Sequence, residues 1–273
     1  MLQASNTLTN KAAVVVRLLI QATSIYAYSL HCTDNCSMIY PMNELFIMPP
    51  NCSYVSANHC SVKLIFWYDR GNYNVTFIAE SSYDNHIDDN KHFVMIEVTG
   101  NKFFSYDIHH ICKETDDCAR SFAEEKIIQM TKRSYNVTNI YSDLRRLIHQ
   151  KSTLSSDLAC FDINDGVRQC TVPGTSGSCQ IVDDLIKHKF HKRLCLHSTQ
   201  QSTSLNIFDT GSVAMMTVRC NRMLCNGPLT IAAVKKILQH HNITDINDRL
   251  LGSSAKMLLS RYLLALTMFV FFF

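Results

Sequence analysis

The sequence predicts an α+β protein of two disulfide-rich modules in tandem, each built of antiparallel β-hairpins followed by a closing amphipathic helix. Three observations predict it. The chain of 273 residues carries twelve cysteines, an even, high count that reads as up to six disulfides and so as a protein of an oxidising compartment. Runs of β-branched and aromatic residues flank glycine-containing turns, the signature of hairpins. One phrase is also written twice, as Tyr135-Asn-Val-Thr-Asn-Ile140 and later as His241-Asn-Ile-Thr-Asp-Ile246.

The repetition extends beyond that phrase. Leu144 and Leu250 follow it at the same distance, and "AEEKIIQM" from Ala123 precedes it as "AAVKKILQ" from Ala232 does. Upstream lie two close cysteine pairs, Cys112/Cys118 and Cys220/Cys225, and before them "IEVTGNKFF" from Ile96 faces "NIFDTGSVA" from Asn206. Further back, Cys52 and Cys60 resemble Cys170 and Cys179, and six cysteines fall on each side of residue 155. Similarity in fixed order argues for an internal duplication. The resulting division is a signal peptide over 1–27, module one over 28–150, module two over 151–251 and an attachment signal over 252–273, with 149–157 as a polar linker.

In module one, "SVKLIFWYDRGNYNVTFIA" places two apolar runs around the turn Asp69–Asn72, and "HFVMIEVTGNKFFSYDIHHIC" does the same around Gly100-Asn101. Ala119, Phe122, Ala123, Ile127 and Met130 then recur at the spacing of one helical face. A short second helix follows, with Ile140, Leu144, Leu147 and Ile148 on one side. In module two, "VDDLIKHKFHKRLCL" is ambiguous between helix and strand, "LNIFDTGSVAMMTVRC" is a hairpin, and "NGPLTIAAVKKIL" starts a helix with Pro228 just inside its first turn, where a missing N–H costs nothing. A thin sheet under one helix buries a modest core, so each disulfide is expected to add roughly 2–4 kcal/mol.

The ends suggest the route and the destination. A polar start ending in Lys11, the apolar run "AAVVVRLLI" and small residues up to Ala27 form a signal-peptide pattern, with Arg17 as an irregularity in its core. The last segment has small residues Gly252, Ser253 and Ser254, a mixed spacer and a terminal apolar tail from Tyr262 to Phe273. That tail is shorter than the ~20 residues a spanning helix needs and has the pattern of a glycosylphosphatidylinositol (GPI) attachment signal, with Ser253 as the expected attachment residue. Removal of both ends takes away Lys11, Arg17, Lys256 and Arg261 and turns the formal +3 into a balance of 22 basic and 23 acidic residues. Nucleic acid is therefore not an expected partner. Sequons at Asn35, Asn51, Asn74, Asn136 and Asn242 fit a glycosylated ectodomain.

The close cysteine pairs carry a family likeness. "CNRMLCN", from Cys220 to Asn226, resembles the C-x4-C-N ending of three-finger domains of the lymphocyte-antigen-six and urokinase-receptor type, and "CKETDDC", from Cys112 to Cys118, resembles it with one extra residue and Ala119 in place of asparagine. The resemblance covers about 70 residues of module two and about 85 of module one. The opening Cys32-x3-Cys36 departs from the family's C-x2-C, each module has six cysteines instead of eight or ten, and helices follow both pairs. The resemblance implies tandem anchored modules that bind through loops rather than catalyse. It also implies the pairings Cys32–Cys60 and Cys36–Cys52. From spacing alone, only Cys112–Cys118 and Cys220–Cys225 are expected, since six cysteines allow 15 pairings per module.

No motif completes a catalytic or metal set. His109-His110, His188, His191, His197 and His240-His241 lack a carboxylate or free cysteine at ligand spacing. "FDINDGVRQC" has acids like a calcium loop, but Gly166 comes one position early and Pro173 stands where glutamate is needed, so Asn164-Asp-Gly166 reads as a turn. "PGTSGSC" is no nucleophile elbow, with Ser178 where a glycine belongs. The lone Trp67, with Phe66, Tyr68 and Tyr73, reads either as a recognition cluster or as core, and alternation turns at least half of such residues inward. The expectation is a non-enzymatic, GPI-anchored surface glycoprotein without a cofactor, acting by protein binding, adhesion or receptor modulation. Its partners would be another extracellular or membrane protein and the outer membrane leaflet. The alternatives are a surface or secreted hydrolase with a dispersed site and an unanchored secreted inhibitor.

Overall fold

The computed structural model describes residues 29–80, 90–100, 102–150, 158–170, 176–198 and 203–253. The expected signal peptide, the linker from 151 and the tail from Ser254 lie outside them. The described residues form thirteen strands and three helices, mostly in one antiparallel sheet.

In the first half, β1 (Leu30–Asp34) pairs with β3 (Ser53–Ala57) apart from the main sheet. β2 (Cys36–Pro41), β4 (His59–Trp67), β5 (Asn72–Glu80), β6 (Asn90–Glu97) and β7 (Phe103–Cys112) lie side by side in the order β6-β7-β4-β5-β2. Helix α1 (Cys118–Thr131) and helix α2 (Val137–Ile148) follow. In the second half, β8 (Ala159–Phe161) pairs with β9 (Val167–Gln169). β10 (Ser176–Asp184), β11 (Lys189–Ser198), β12 (Ser204–Asp209) and β13 (Ala214–Cys220) run in the order β11-β10-β13-β12, and helix α3 (Pro228–His240) closes the half. The segment that was ambiguous in sequence is thus the β10–β11 hairpin. Asp184 interrupts its apolar pattern because its carboxylate accepts the turn N–H groups of Ile186 and Lys187 at 3.1 and 2.9 Å.

The two sheets are one. β6 and β12 pair edge to edge from Ser204↔Glu97 to Asp209↔His92, giving a nine-stranded sheet. Alternation sends Val62, Leu64, Phe66, Tyr73, Val75 and Phe77 to one face in the first half and Ile181, Leu205, Ile207, Met216 and Val218 to the buried face in the second. α1 lies on β4, β5 and β7 and turns in Ala119, Ala123, Ile127 and Met130, while α3 buries Ile231, Val234 and Leu238. Pro228 stands in the first turn of α3 as its sequence position predicts.

The halves clasp each other through their closing segments. α2, which ends the first half, packs on α3, and the Asn221 N–H of the second half caps it at the Ile148 carbonyl (3.0 Å). The final residues of the second half cross back. The Leu251 carbonyl accepts from the Tyr106 hydroxyl (3.0 Å) and Arg133 Nη2 (2.9 Å), and the Gly252 carbonyl accepts from Lys126 Nζ (3.3 Å).

Candidate functional site

All twelve cysteines are bonded: Cys32–Cys60, Cys36–Cys52, Cys112–Cys118, Cys160–Cys179, Cys170–Cys195 and Cys220–Cys225. Cys60 sits opposite Cys112 in the ladder, and Cys179 sits opposite Cys220. In each half the first strand cysteine also holds a cysteine of the small sheet, Cys32 or Cys160. The remaining bridges differ, since Cys36 lies on β2 whereas Cys195 lies on β11. Two clusters with metal-like spacing, Cys160/Cys170/Cys195 and Cys112/Glu114/Cys118, are made of these bonded cysteines and so lack thiolates.

The motif asparagine at the end of the second pair has a clear task. Asn226 is fully buried, accepts the Phe161 N–H (2.9 Å) and donates to the Phe161 carbonyl (2.8 Å), tying β8 down like an added strand residue. In the first half Asp117, just before Cys118, does the matching work on β1 by accepting from the Thr33 N–H and hydroxyl at 3.0 and 2.7 Å.

Of the sequon asparagines, Asn35, Asn51, Asn136 and Asn242 are exposed and Asn74 is half-buried on β5. The Ser253 hydroxyl lies 2.8 Å from Asp209 Oδ2 and 2.7 Å from the Leu250 carbonyl and shares its one hydrogen between these acceptors. Asp209 is a hub: fully buried, it also accepts from Arg249 Nε (2.9 Å), the Gly211 N–H (2.9 Å) and the Leu250 N–H (3.2 Å). Burial pushes its carboxyl up, but the Arg249, Gly211 and Ser253 bonds outweigh this and hold it below the ordinary carboxylate range. A serine, an aspartate and the buried His92 thus converge, yet the serine hydroxyl bonds to the carboxylate and not to an imidazole. Asp209 is held by Arg249, so the arrangement ties residues 249–253 to β12 and offers Ser253 no general base.

Sequence reasoning named many histidines and missed His92, although the inward alternation of 92, 94 and 96 on β6 was available to find it. Its Nδ1 lies 3.3 Å from the Tyr106 hydroxyl, and burial, reinforced by Lys126, lowers its pKa to about 4. Of the named ones, His110 stacks on Phe122 at 3.8 Å, and His241 Nε2 meets Asp143 at 3.0 Å. The calcium-like loop is an Asx turn, with Asp162 Oδ1 accepting the Asn164 and Gly166 N–H groups at 2.9 Å each and Oδ2 taken by Arg168. Near Trp67, Phe66 and Tyr73 are core and the Tyr68 hydroxyl donates to the Met130 carbonyl (3.1 Å), so the aromatic cluster mostly builds the α1 contact.

A pocket of about 510 Å³ opens between α2 and the β6–β7 turn, lined by Lys102, Arg145, Arg146, His149 and Tyr141 with the hydroxyls of Thr138 and Ser142. Helical spacing brings Tyr141, Arg145 and His149 to one side. No carboxylate lines it. The nearby Asp143 pairs with Arg146 and His241, whose hydrogen bonds, His241 first, hold its carboxyl below the usual range.

No family model matches the chain, and no curated protein matches it.

Proposed function

We propose that the chain is a GPI-anchored extracellular glycoprotein of two related disulfide-stabilised modules, acting by binding, adhesion or receptor modulation at the outer face of the plasma membrane. Each module is a set of hairpins closed by a helix, and its partner is another extracellular or membrane protein. One observation carries this reading. Every cysteine is bonded, and the bridges built on Cys60/Cys112 and Cys179/Cys220 occupy the same register in both halves. Twelve paired cysteines need an oxidising compartment, and a repeated bridge framework is the mark of a duplicated module. The Cys220–Cys225–Asn226 ending keeps the three-finger resemblance, and with it a non-catalytic role, within the reading. An anchor on Ser253 would bring the membrane close to the turn after Asp209, to which that serine is tied.

The test is expression of the full chain on cells. A phosphatidylinositol-specific phospholipase is expected to release it, a glycosidase to increase its mobility, and alkylation of the denatured, unreduced protein to find no thiols. A chain that stays cell-bound after phospholipase treatment and alkylates at most of its cysteines would overturn the proposal.

A further inference from the structure

We propose that the pocket between α2 and the β6–β7 turn binds an acidic saccharide, with the carboxylate or sulfate held by Lys102, Arg145 and Arg146 and the sugar hydroxyls by Tyr141, Thr138 and Ser142. This goes beyond the anchored-binder reading and stands or falls separately from it, because phospholipase release and pocket occupancy are independent readouts.

Three observations carry it. The volume, about 510 Å³, suits one or two sugar rings and lies within the range of small-molecule sites. The lining gathers three permanent cations and a histidine without a carboxylate. Among the described residues Arg146 is shared with Asp143, while no carboxylate pairs with Lys102 or Arg145. Cations held together at a concave surface focus a positive field that an anion neutralises, and the guanidinium fork of Arg145 suits a carboxylate or sulfate.

The third observation is the Tyr141 hydroxyl. The residue is only 6% exposed, and its oxygen has no hydrogen-bond partner within the protein. A buried hydroxyl without a partner is unfavourable; less than 1 Å² of this oxygen is exposed, so a ligand oxygen in the pocket would satisfy it after a small rotation of the Tyr141 side chain. Burial, reinforced by the Asp69 charge, raises its pKa, so it stays protonated as a donor. Lys102 Nζ lies over the Tyr141 ring at 5.6 Å, so that ring face is occupied by a cation and unavailable for stacking a nucleobase. Hydroxyls beside cations therefore favour a polyhydroxylated anion over a nucleotide.

The full-length protein, made through a secretory pathway and held in detergent, would be titrated calorimetrically with 3′-sialyllactose, a sulfated uronate disaccharide, neutral lactose, a nucleoside monophosphate and inorganic sulfate. At least one acidic saccharide is expected to bind, and lactose is not. Arg145→Ala is expected to weaken binding about tenfold, as loss of a charge-assisted bond does. Lys102→Gln, on the exposed turn, is the second variant should the first not fold. Tyr141→Phe is expected to weaken binding about fivefold without lowering the unfolding temperature, because it removes a hydroxyl that nothing in the protein satisfies. A purely structural tyrosine would instead lose stability. Equal binding of lactose and sialyllactose, binding of inorganic sulfate or the nucleotide as tight as the saccharides, no binding of any probe, or affinities unmoved by these substitutions would each overturn the proposal.

Discussion

Two pairs of residues face each other across the β6–β12 seam at corresponding places, and they have opposite chemistry. Four residues before Cys112 stands Ile108, which faces His92; four before Cys220 stands Met216, which faces Ile207. Two steps further, Tyr106 faces Val94 and Ala214 faces Asp209. His92 thus corresponds to Ile207 and Val94 to Asp209. Across the seam, Val94 meets Ile207 and His92 meets Asp209. One pair is apolar and the other polar, at places matched by their distance from the Cys112 and Cys220 ladder positions. Matching register thus carries unlike chemistry, and the polar pair lies where residues 249–253 pack. Residues 249–253 run over the polar pair and bond to Asp209, and residue 251 is held by Tyr106.

The largest expected effect comes from breaking that contrast at its charged member. Asp209→Ala takes the carboxylate from Arg249, leaving it the Gly211 carbonyl, strands two backbone N–H groups, and is expected to cost about 3–5 kcal/mol in urea unfolding. A change in the apolar seam pair, Ile207→Val, is expected to cost about 1 kcal/mol. Equal losses at the two positions would show that Asp209 is no anchor.

A second contrast lies under the helices. In the first half Ile127 stands four residues after the buried Ala123, and Leu64 stands four after Cys60. In the second half, with the helices matched by their buried faces (Ala123 with Ile231, Met130 with Leu238) and not by the sequence match of Ala123 with Ala232, those places are taken by Lys235, four after Ile231, and Asp183, four after Cys179. Lys235 Nζ meets Asp183 at 2.8 Å and Asp248 at 3.0 Å. Burial lowers the Lys235 pKa, but the two carboxylates outweigh it and the net shift is upward. Lys235→Met strands a buried carboxylate and is expected to cost about 3 kcal/mol, whereas adding Asp183→Leu, which recreates the first half's chemistry, should recover most of the loss. A double variant no better than the single one would break the correspondence.

His92 sharpens the seam comparison through pH. Its folded pKa, about 4, lies below that of an unfolded histidine near 6.5. Between these values the unfolded chain binds a proton that the folded chain does not, so stability falls as pH falls. By pH 5 the loss from this group is about 2 kcal/mol. Asp209, whose folded pKa is depressed, adds a loss in the same direction as it protonates at lower pH. His92→Leu, which makes both seam pairs apolar on the β6 side, is expected to flatten the dependence of the unfolding midpoint between pH 7 and 5. A curve unchanged in shape would place the acid sensitivity elsewhere.

What the sequence made legible was local. The turns at Asp69–Asn72 and Gly100, the helical face from Ala119 to Met130, Pro228 at the start of α3 and the close cysteine pairs all follow from neighbours in the chain. The shared nine-stranded sheet was not legible, because β6 and β12 lie over a hundred residues apart in sequence and a strand at an edge alternates just as a central one does. The pocket was equally hidden. Its cations come from the β6–β7 turn and from α2, and Arg145-Arg146 alone reads as an ordinary solvated helix surface. The Asp183–Lys235 pair was obscured by its own chemistry, since a charge at an inward position breaks the apolar pattern that marks a strand.

The repeated phrase gives the smallest test. Its similarity predicts one conformation for both occurrences, but the phrase folds two ways. Asn136 is the N-cap of α2, its side chain accepting the Asn139 N–H at 3.1 Å, and helix runs on to bury Ile140 completely. Asn242 instead takes a positive φ of 54°, and Ile246 is 89% exposed, although Leu144 and Leu250 are both fully buried. The cause lies in residues 245–248. Asp245 stands where the first copy has Asn139, and its carboxylate accepts the Asn247 and Arg249 N–H groups at 2.8 and 2.9 Å. Asp248 adds a second positive φ of 62°. Short polar side chains that bond their own backbone favour a turn over a helix. Asn136→Ala is therefore expected to cost about 1 kcal/mol through the lost cap, and Asn136→Asp, which removes the sequon but keeps the cap, should cost little. Asn242→Gly removes the other sequon and is expected to stabilise slightly or not at all, by at most ~1 kcal/mol, because glycine adopts that φ without strain but gains freedom in the unfolded chain. Measured on protein made without glycosylation, the opposite ranking of the two asparagines would mean that the two phrases share a conformation after all.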